Sequence, residues 1–202
     1  QRETQLPAKL TATQLKGRAL DEEIAEDALH TPYIRPLSQP KFRQQDRGLT
    51  PAERGTATHL VLQYLDLRNP NVPEQAAAVD IRALERFLSS PLAEEMRRVA
   101  AMEREYRFTV LMDARDYDGM SIGGDEILLQ GVVDCWFETP DGLTVVDFKT
   151  DRVFTEEELT ERAELYRGQL SAYTLALERV LERPVTRRVL YFLSVGRAVE
   201  VS

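Results

Sequence analysis

The stretch Gln130-Gly131-Val132-Val133-Asp134-Cys135-Trp136-Phe137-Glu138-Thr139-Pro140-Asp141-Gly142-Leu143-Thr144-Val145-Val146-Asp147-Phe148-Lys149 decides how the chain folds. Two apolar runs flank a turn sequence, Thr139-Pro140-Asp141-Gly142, and that pattern predicts an antiparallel hairpin. Asp134, Asp147 and Lys149 lie inside or beside the strands. A charge in such a place needs a partner or a metal, because burying an uncompensated ion is unfavourable. If the turn is Asp141-Gly142, Asp134 opposes Lys149. If Thr139 opposes Gly142, Asp134 opposes Asp147. Strand side chains alternate with period two, so either register gathers all three on one face. Cross-strand β-carbons are then about 4.5–5.5 Å apart. A three-residue loop would split the set across two faces.

Outward from the hairpin, the period changes. Tyr106, Phe108, Val110 and Met112 alternate and predict a strand. Thr50-Pro51-Ala52-Glu53 is a capping box with proline at the first helical position, opening a helix through Gly55, His59, Leu62 and Leu65. Residues 74–88 predict a second helix with Ala78, Ile81, Leu84, Phe87 and Leu88 on one face. Ser90-Pro91 starts a third, to about Ala101. Thr155-Glu156-Glu157-Glu158 caps a further helical stretch, continuous or broken, that ends before Pro184. Residues 185–195 and 198–201 predict two strands joined at Gly196-Arg197. Residues 1–48 read as an N-terminal arm. A capped segment at 10–16 could begin a helix, and an extended charged linker follows with Pro32, Pro36 and Pro40. The order of elements in 49–202 is α/β: a mixed central sheet flanked by helices.

Composition sets the limits. A chain of 202 residues accommodates one ordinary domain plus an arm. The single cysteine, Cys135, excludes a disulfide framework or a cysteine-built zinc or iron–sulfur site within the chain, and fits a reducing compartment. No run of about 18 apolar residues is present, and no signal-peptide pattern opens the chain.

The hairpin charges carry the chemistry. Two carboxylates held close repel, and a hard cation between them relieves the repulsion. Mg²⁺ prefers oxygen ligands and retains several waters. Such a metal polarises a phosphoryl oxygen and acidifies water, while Lys149 can orient the attacking water and offset phosphate charge. This is the requirement of metal-assisted phosphodiester cleavage. The same residues also make a plain Asp134–Lys149 ion pair with Asp147 near a strand end, and the short pattern alone leaves both readings open. Gly131 gives room for a ligand or another backbone to approach. His59 is a candidate extra ligand on a carboxylate-bound metal; a two-histidine zinc site has no support, since the other histidine is His30 in the linker. Tyr166, Gln169 and Tyr173, at i, i+3 and i+7, share a helix face that could meet phosphates or stack bases, or else form a core stripe. Glu105, just before the first strand, is a weaker candidate and reads equally as a solvated charge.

Four motifs in order, Gly55-x-x-x-His59, Gly131-x-x-Asp134, Asp147-Phe148-Lys149-Thr150-Asp151 and Tyr166-x-x-Gln169-Leu170-x-x-Tyr173, resemble the RecB-like branch of the PD-(D/E)XK nucleases. Within that branch the chain is most similar to the nuclease domain of the AddA (RexA) family, over about residues 50–202. The resemblance implies a restriction-endonuclease-like core and a DNA nuclease, an exonuclease that processes double-strand-break ends for recombinational repair. It implies Mg²⁺, or Mn²⁺, on His59, Asp134, Asp147 and the backbone carbonyl of Phe148. Lys149 would be the catalytic lysine with Asp134 and Asp147, and Tyr166, Gln169 and Tyr173 would support the site and the DNA strand. Val133 stands where the family often has proline. The implied partners are single-stranded DNA delivered by a helicase, helicase domains of a longer parent chain and an AddB-type partner protein, in the bacterial cytoplasm. ATP would serve only that helicase, because this chain has no Gly-x-x-x-x-Gly-Lys-Ser/Thr loop. An iron–sulfur cluster of the AddB kind cannot form with one cysteine. The net charge of −8 disfavours phosphate binding, so much of the DNA affinity is expected from other domains or a partner. The alternative from another class is a non-catalytic DNA-binding or partner-docking module.

Overall fold

The hairpin forms with Thr139 opposite Gly142, so the turn is Pro140-Asp141 and the second of the two registers is the one adopted. The structure is a computed structural model that describes residues 9–12, 50–70, 79–113 and 126–201. Among these, the strands are β1 (Lys9–Thr11), β2 (Met102–Asp113), β3 (Glu126–Thr139), β4 (Gly142–Lys149), β5 (Val185–Phe192) and β6 (Arg197–Glu200). The helices are α1 (Pro51–Tyr64), α2 (Ile81–Leu88), α3 (Pro91–Arg98) and α4 (Glu156–Leu181). The strands build one mixed sheet: β2–β3, β3–β4 and β5–β6 are antiparallel, while β4–β5 and β1–β3 are parallel. The parallel β4–β5 pair needs a crossover, and α4 supplies it. The α/β expectation of a mixed sheet flanked by helices is what forms.

Local sequence explains most boundaries. Thr50 and Glu53 make the reciprocal capping box of α1. Thr155 caps α4 by accepting from the Glu158 amide, and α4 runs unbroken for 26 residues. Two expectations need correction. The second helix starts at Ile81, where the Asp80 side chain accepts from the Ala83 amide and fixes the start; residues 71–78 lie outside the described residues. In the arm, Lys9–Thr11 is a strand beside Leu128–Gln130 rather than a helix start, and Ala12 is buried in the core. The linker at 21–48, with Pro32, Pro36 and Pro40, and His30 lie outside the described residues.

The sheet is covered on both faces. Leu159, Ala163, Leu170 and Leu177 of α4 pack with Phe108, Val133, Val145 and Leu190. On the other face Leu62, Leu84, Phe87 and Met96 of α1–α3 pack with Cys135, Phe137, Val146 and Phe148. Burial of Cys135 there pushes its thiol up to about 12, which keeps it in the unreactive protonated form.

Cluster membership exposes a kink. Val133 and Trp136 both pack on the α4 side, and Cys135 packs on the opposite side. Strict alternation would put Val133 and Cys135 together, so β3 slips by one residue at Asp134. β2 slips at the same level. Arg104 reaches the Leu62 and Leu65 carbonyls of the α1 side, yet Tyr106 packs on the α4 side. The register does not shift across the kink, running from Arg104↔Cys135 to Tyr106↔Val133. The residue between, Glu105, has φ 53°. That left-handed conformation is unfavourable for a non-glycine residue, by roughly 1–2 kcal/mol. Such strain is most often kept at functional sites.

Gly131 does not make room for a ligand, as its place in the sequence suggested. A Cβ there would come within 2.8 Å of the Phe108 ring and 3.0 Å of Ala12 Cβ. Phe108 is held in turn by an edge-to-face contact with Tyr173 at 6.0 Å. Gly131→Ala should therefore destabilise the fold by about 1–3 kcal/mol through overpacking. A thermal melt checks this, and an unchanged Tm would show that the ring can move aside.

Candidate metal centre

Asp134 sits one residue beyond the last β3–β4 rung, Cys135↔Val146, where the strands part. Its Oδ2 accepts the Phe148 N–H at 2.7 Å and lies 3.4 Å from His59 Nδ1. The Lys149 carbonyl accepts from Leu193 on the β5 side. Successive carbonyls of a strand point to opposite edges, so the Phe148 carbonyl points to the Asp134 side. His59 reaches the carboxylate from α1, which comes close because residue 55 is glycine. A Cβ at Gly55 would stand 3.3 Å from Thr150 Oγ1, just beyond β4.

Ligand atoms of His59, Asp134 and Glu105 all lie within 4.8 Å of one another. The kink brings Glu105 level with Asp134, between Arg104 and Tyr106. The three are partly open to solvent, with His59 at 31% and Asp134 at 12% side-chain exposure. Burial opposes the His59 imidazolium, but the Asp134 carboxylate, with Asp147 beyond it, overcomes this and raises the group to about 9. Burial likewise opposes ionisation of Asp134, yet His59, Lys149 and the Phe148 amide hold it below the usual carboxylate range. For Glu105, burial and the nearby Asp134 both raise its carboxyl above the usual value. Such a crowded acid–imidazole set gathers negative charge that only a cation or a proton can balance. The donors are one imidazole nitrogen and carboxylate oxygens without a thiolate, which suits a hard divalent ion.

Asp147 and Lys149 project to the α4 side and are 2% and 7% exposed. Lys149 Nζ lies 2.5 Å from Asp147 Oδ2, donates to Gln169 Oε1 at 3.0 Å, and sits 3.8 Å from the centre of the Tyr166 ring. Gln169 Nε2 donates to the Tyr173 hydroxyl at 2.6 Å. The Tyr166 hydroxyl donates to Asp151 at 2.9 Å. The i, i+3, i+7 face of α4 thus fixes the ammonium from three directions.

Residues 30–200 match the family described as the PD-(D/E)XK nuclease superfamily. The chain belongs to this superfamily. Among similar PD-(D/E)XK proteins is an ATP-dependent helicase/nuclease of the AddA type from Acetivibrio thermocellus, 36% identical over 96% of this chain and 17% of that protein. The protein of the same name from Moorella thermoacetica is 38% identical over 96% of this chain and 15% of its own length. That from Desulforamulus reducens is 33% identical over 98% of this chain and 17% of its own. The chain thus spans about a sixth of the length of these curated relatives.

The superfamily's metal-and-lysine pattern is distributed here as follows. His59, Asp134, Asp147 and Lys149 come together, as their order in the sequence suggested. Within the tight cluster, however, Glu105 rather than Asp147 accompanies His59 and Asp134, and Asp147 is turned to Lys149. Glu105 is the residue that sequence reasoning undervalued. Its only signal was its place immediately before the regular alternation beginning at Tyr106, and that is where the kink falls. Tyr166, Gln169 and Tyr173 do share one face, but all three are buried, at 3–5% exposure, and their polar groups contact Lys149, Asp151 and one another. Among the described residues, no helix is long and apolar enough to cross a membrane.

Proposed function

We propose that this chain is a Mg²⁺-dependent deoxyribonuclease domain, acting as an exonuclease on single strands within an AddAB-type helicase–nuclease that processes double-strand-break ends for recombinational repair. In this reading residues 49–202 are the nuclease domain and 1–48 its arm. The helicase part of the parent chain and an AddB-type partner protein deliver the DNA, in the cytoplasm. The observation that carries the reading is the His59–Asp134–Glu105 set beside the buried Asp147–Lys149 pair. The names of the similar proteins add weight.

His59, Asp134 and Glu105, joined by Asp147 and the Phe148 carbonyl, would hold the ion; Mn²⁺ suits the same donors. The bound ion would supply Lewis acidity toward a phosphoryl oxygen and lower the pKa of water. The chain's own groups do the rest. Phe148 N–H fixes the Asp134 carboxylate. Lys149 keeps a positive charge beside Asp147, placed to orient water and to offset charge on the phosphate. Gln169 and Tyr166 prevent that ammonium from swinging away. In these roles Tyr166, Gln169 and Tyr173 act on DNA through Lys149 rather than by stacking on it.

The full-length protein with its partner should degrade labelled single-stranded DNA in Mg²⁺, lose this on chelation and recover it with Mg²⁺ or Mn²⁺. Cleavage indifferent to chelator, or no cleavage under any divalent ion, would overturn the reading.

A further inference from the structure

The fold leaves one large aromatic side chain unused beside the site. Phe154 is 81% exposed. It occupies the position before the α4 N-cap, Thr155, where an apolar residue commonly packs against the fourth residue of the helix. That residue, Leu159, is buried in the core with Val153, and the Phe154 ring stays outside. The backbone beneath the ring is nonetheless fixed. Phe154 N–H donates to Glu158 Oε2 at 2.8 Å. Val153 is 4% exposed, and the Asp151 carbonyl accepts from Ser194 Oγ at 2.6 Å. The Asp151 side chain holds Tyr166, whose ring faces Lys149. A pinned loop therefore carries an open aromatic face five residues from Lys149, so at most about 18 Å away along the chain. About five stacked nucleotides at 3.4 Å each cover that span.

Charge narrows what the ring can meet. The chain carries a net −8, and Glu156, Glu157 and Glu158 follow close behind Phe154. Phosphate attraction is weak in such surroundings, whereas base stacking needs no positive charge and tolerates any sequence. The tyrosines that could have stacked bases are buried in holding Lys149. We infer that Phe154 is a base-stacking contact for the single strand on its way to or from the cleavage site. The inference rests on the nuclease reading above and assigns a substrate subsite to it.

The test uses the full-length protein with its partner and an oligothymidylate carrying 5-iododeoxyuridine, irradiated in chelator and mapped by mass spectrometry. Crosslinking to the peptide containing Phe154 is expected, lost in Phe154→Ala and retained in Phe154→Trp. In Mg²⁺, Phe154→Ala should raise KM for single-stranded DNA by about 5- to 150-fold, the loss falling on KM rather than kcat. No crosslink at Phe154, or an unchanged KM in Phe154→Ala, overturns the subsite. So does a Phe154→Ala effect confined to assembly with the partner, which would make the ring a protein contact. Asp134→Asn, measured alongside, separates the two readings: if it cleaves normally the nuclease site is wrong, whatever the crosslink shows.

Discussion

Asp134→Asn should lower DNA cleavage by about 10²–10⁴-fold while leaving the fold intact. The exchange is isosteric, and an amide oxygen can still accept the Phe148 N–H that Asp134 Oδ2 now takes at 2.7 Å. What disappears is the negative charge between His59 and Glu105. A ligating carboxylate contributes several kcal/mol of metal-dependent charge stabilisation, and each 1.36 kcal/mol is about tenfold in rate. Circular dichroism and a thermal melt establish that the variant is folded, and single-turnover cleavage gives the rate. A loss of rate rescued by more Mn²⁺ would place the effect on metal affinity. A folded variant with the parent's rate would favour the non-catalytic module instead.

Lys149→Met should cost the metal-free protein about 3 kcal/mol of stability, a large effect for one residue at a strand end. Asp147 is 2% exposed, and the ammonium 2.5 Å away is its counter-charge. Breaking a buried pair from one side typically costs about 3–5 kcal/mol, because a charge stays behind without compensation. Changing both partners need not. Lys149→Met with Asp147→Asn should recover most of the stability and none of the activity. Denaturant midpoints for the single and double variants test this. If the single variant is as stable as the parent, the pair does not hold the site together. A divalent ion should also restore the single variant more than it stabilises the parent, since the ion then replaces the missing positive charge.

Much of this was readable because it is local. The capping boxes at Thr50 and Thr155, the Pro140-Asp141 turn region and the period-two runs of β3 and β4 are short-range signals. They indicate α1, α4 and the hairpin with two admissible registers, of which the structure adopts one. Helical spacing also put Tyr166, Gln169 and Tyr173 on one face. It could not tell whether that face is wet or dry, since dryness depends on how α4 lies on the sheet. Three other features depend on the tertiary arrangement. β1 is three residues long, too short to show a period, and exists only through pairing with β3. Gly131 is small because Phe108 and Ala12 arrive from distant segments. The kink at Glu105 and Asp134 requires two strands to slip at the same rung, and neither sequence betrays it. That kink is what makes Glu105 a ligand candidate, so the least readable part of the fold lies within the site.

The account's central claim is that His59, Asp134 and Glu105 form a divalent-metal centre next to Asp147 and Lys149. A crystal structure of the protein grown with Mn²⁺ tests it most directly, by the ion's anomalous signal. The predicted result is an ion bonded to the Asp134 carboxylate and the His59 imidazole, with Glu105 or Asp147 completing its protein ligands and the His59–Asp134 contact opened to admit it. No ion at this position at millimolar Mn²⁺, with His59 still paired to Asp134, would contradict it.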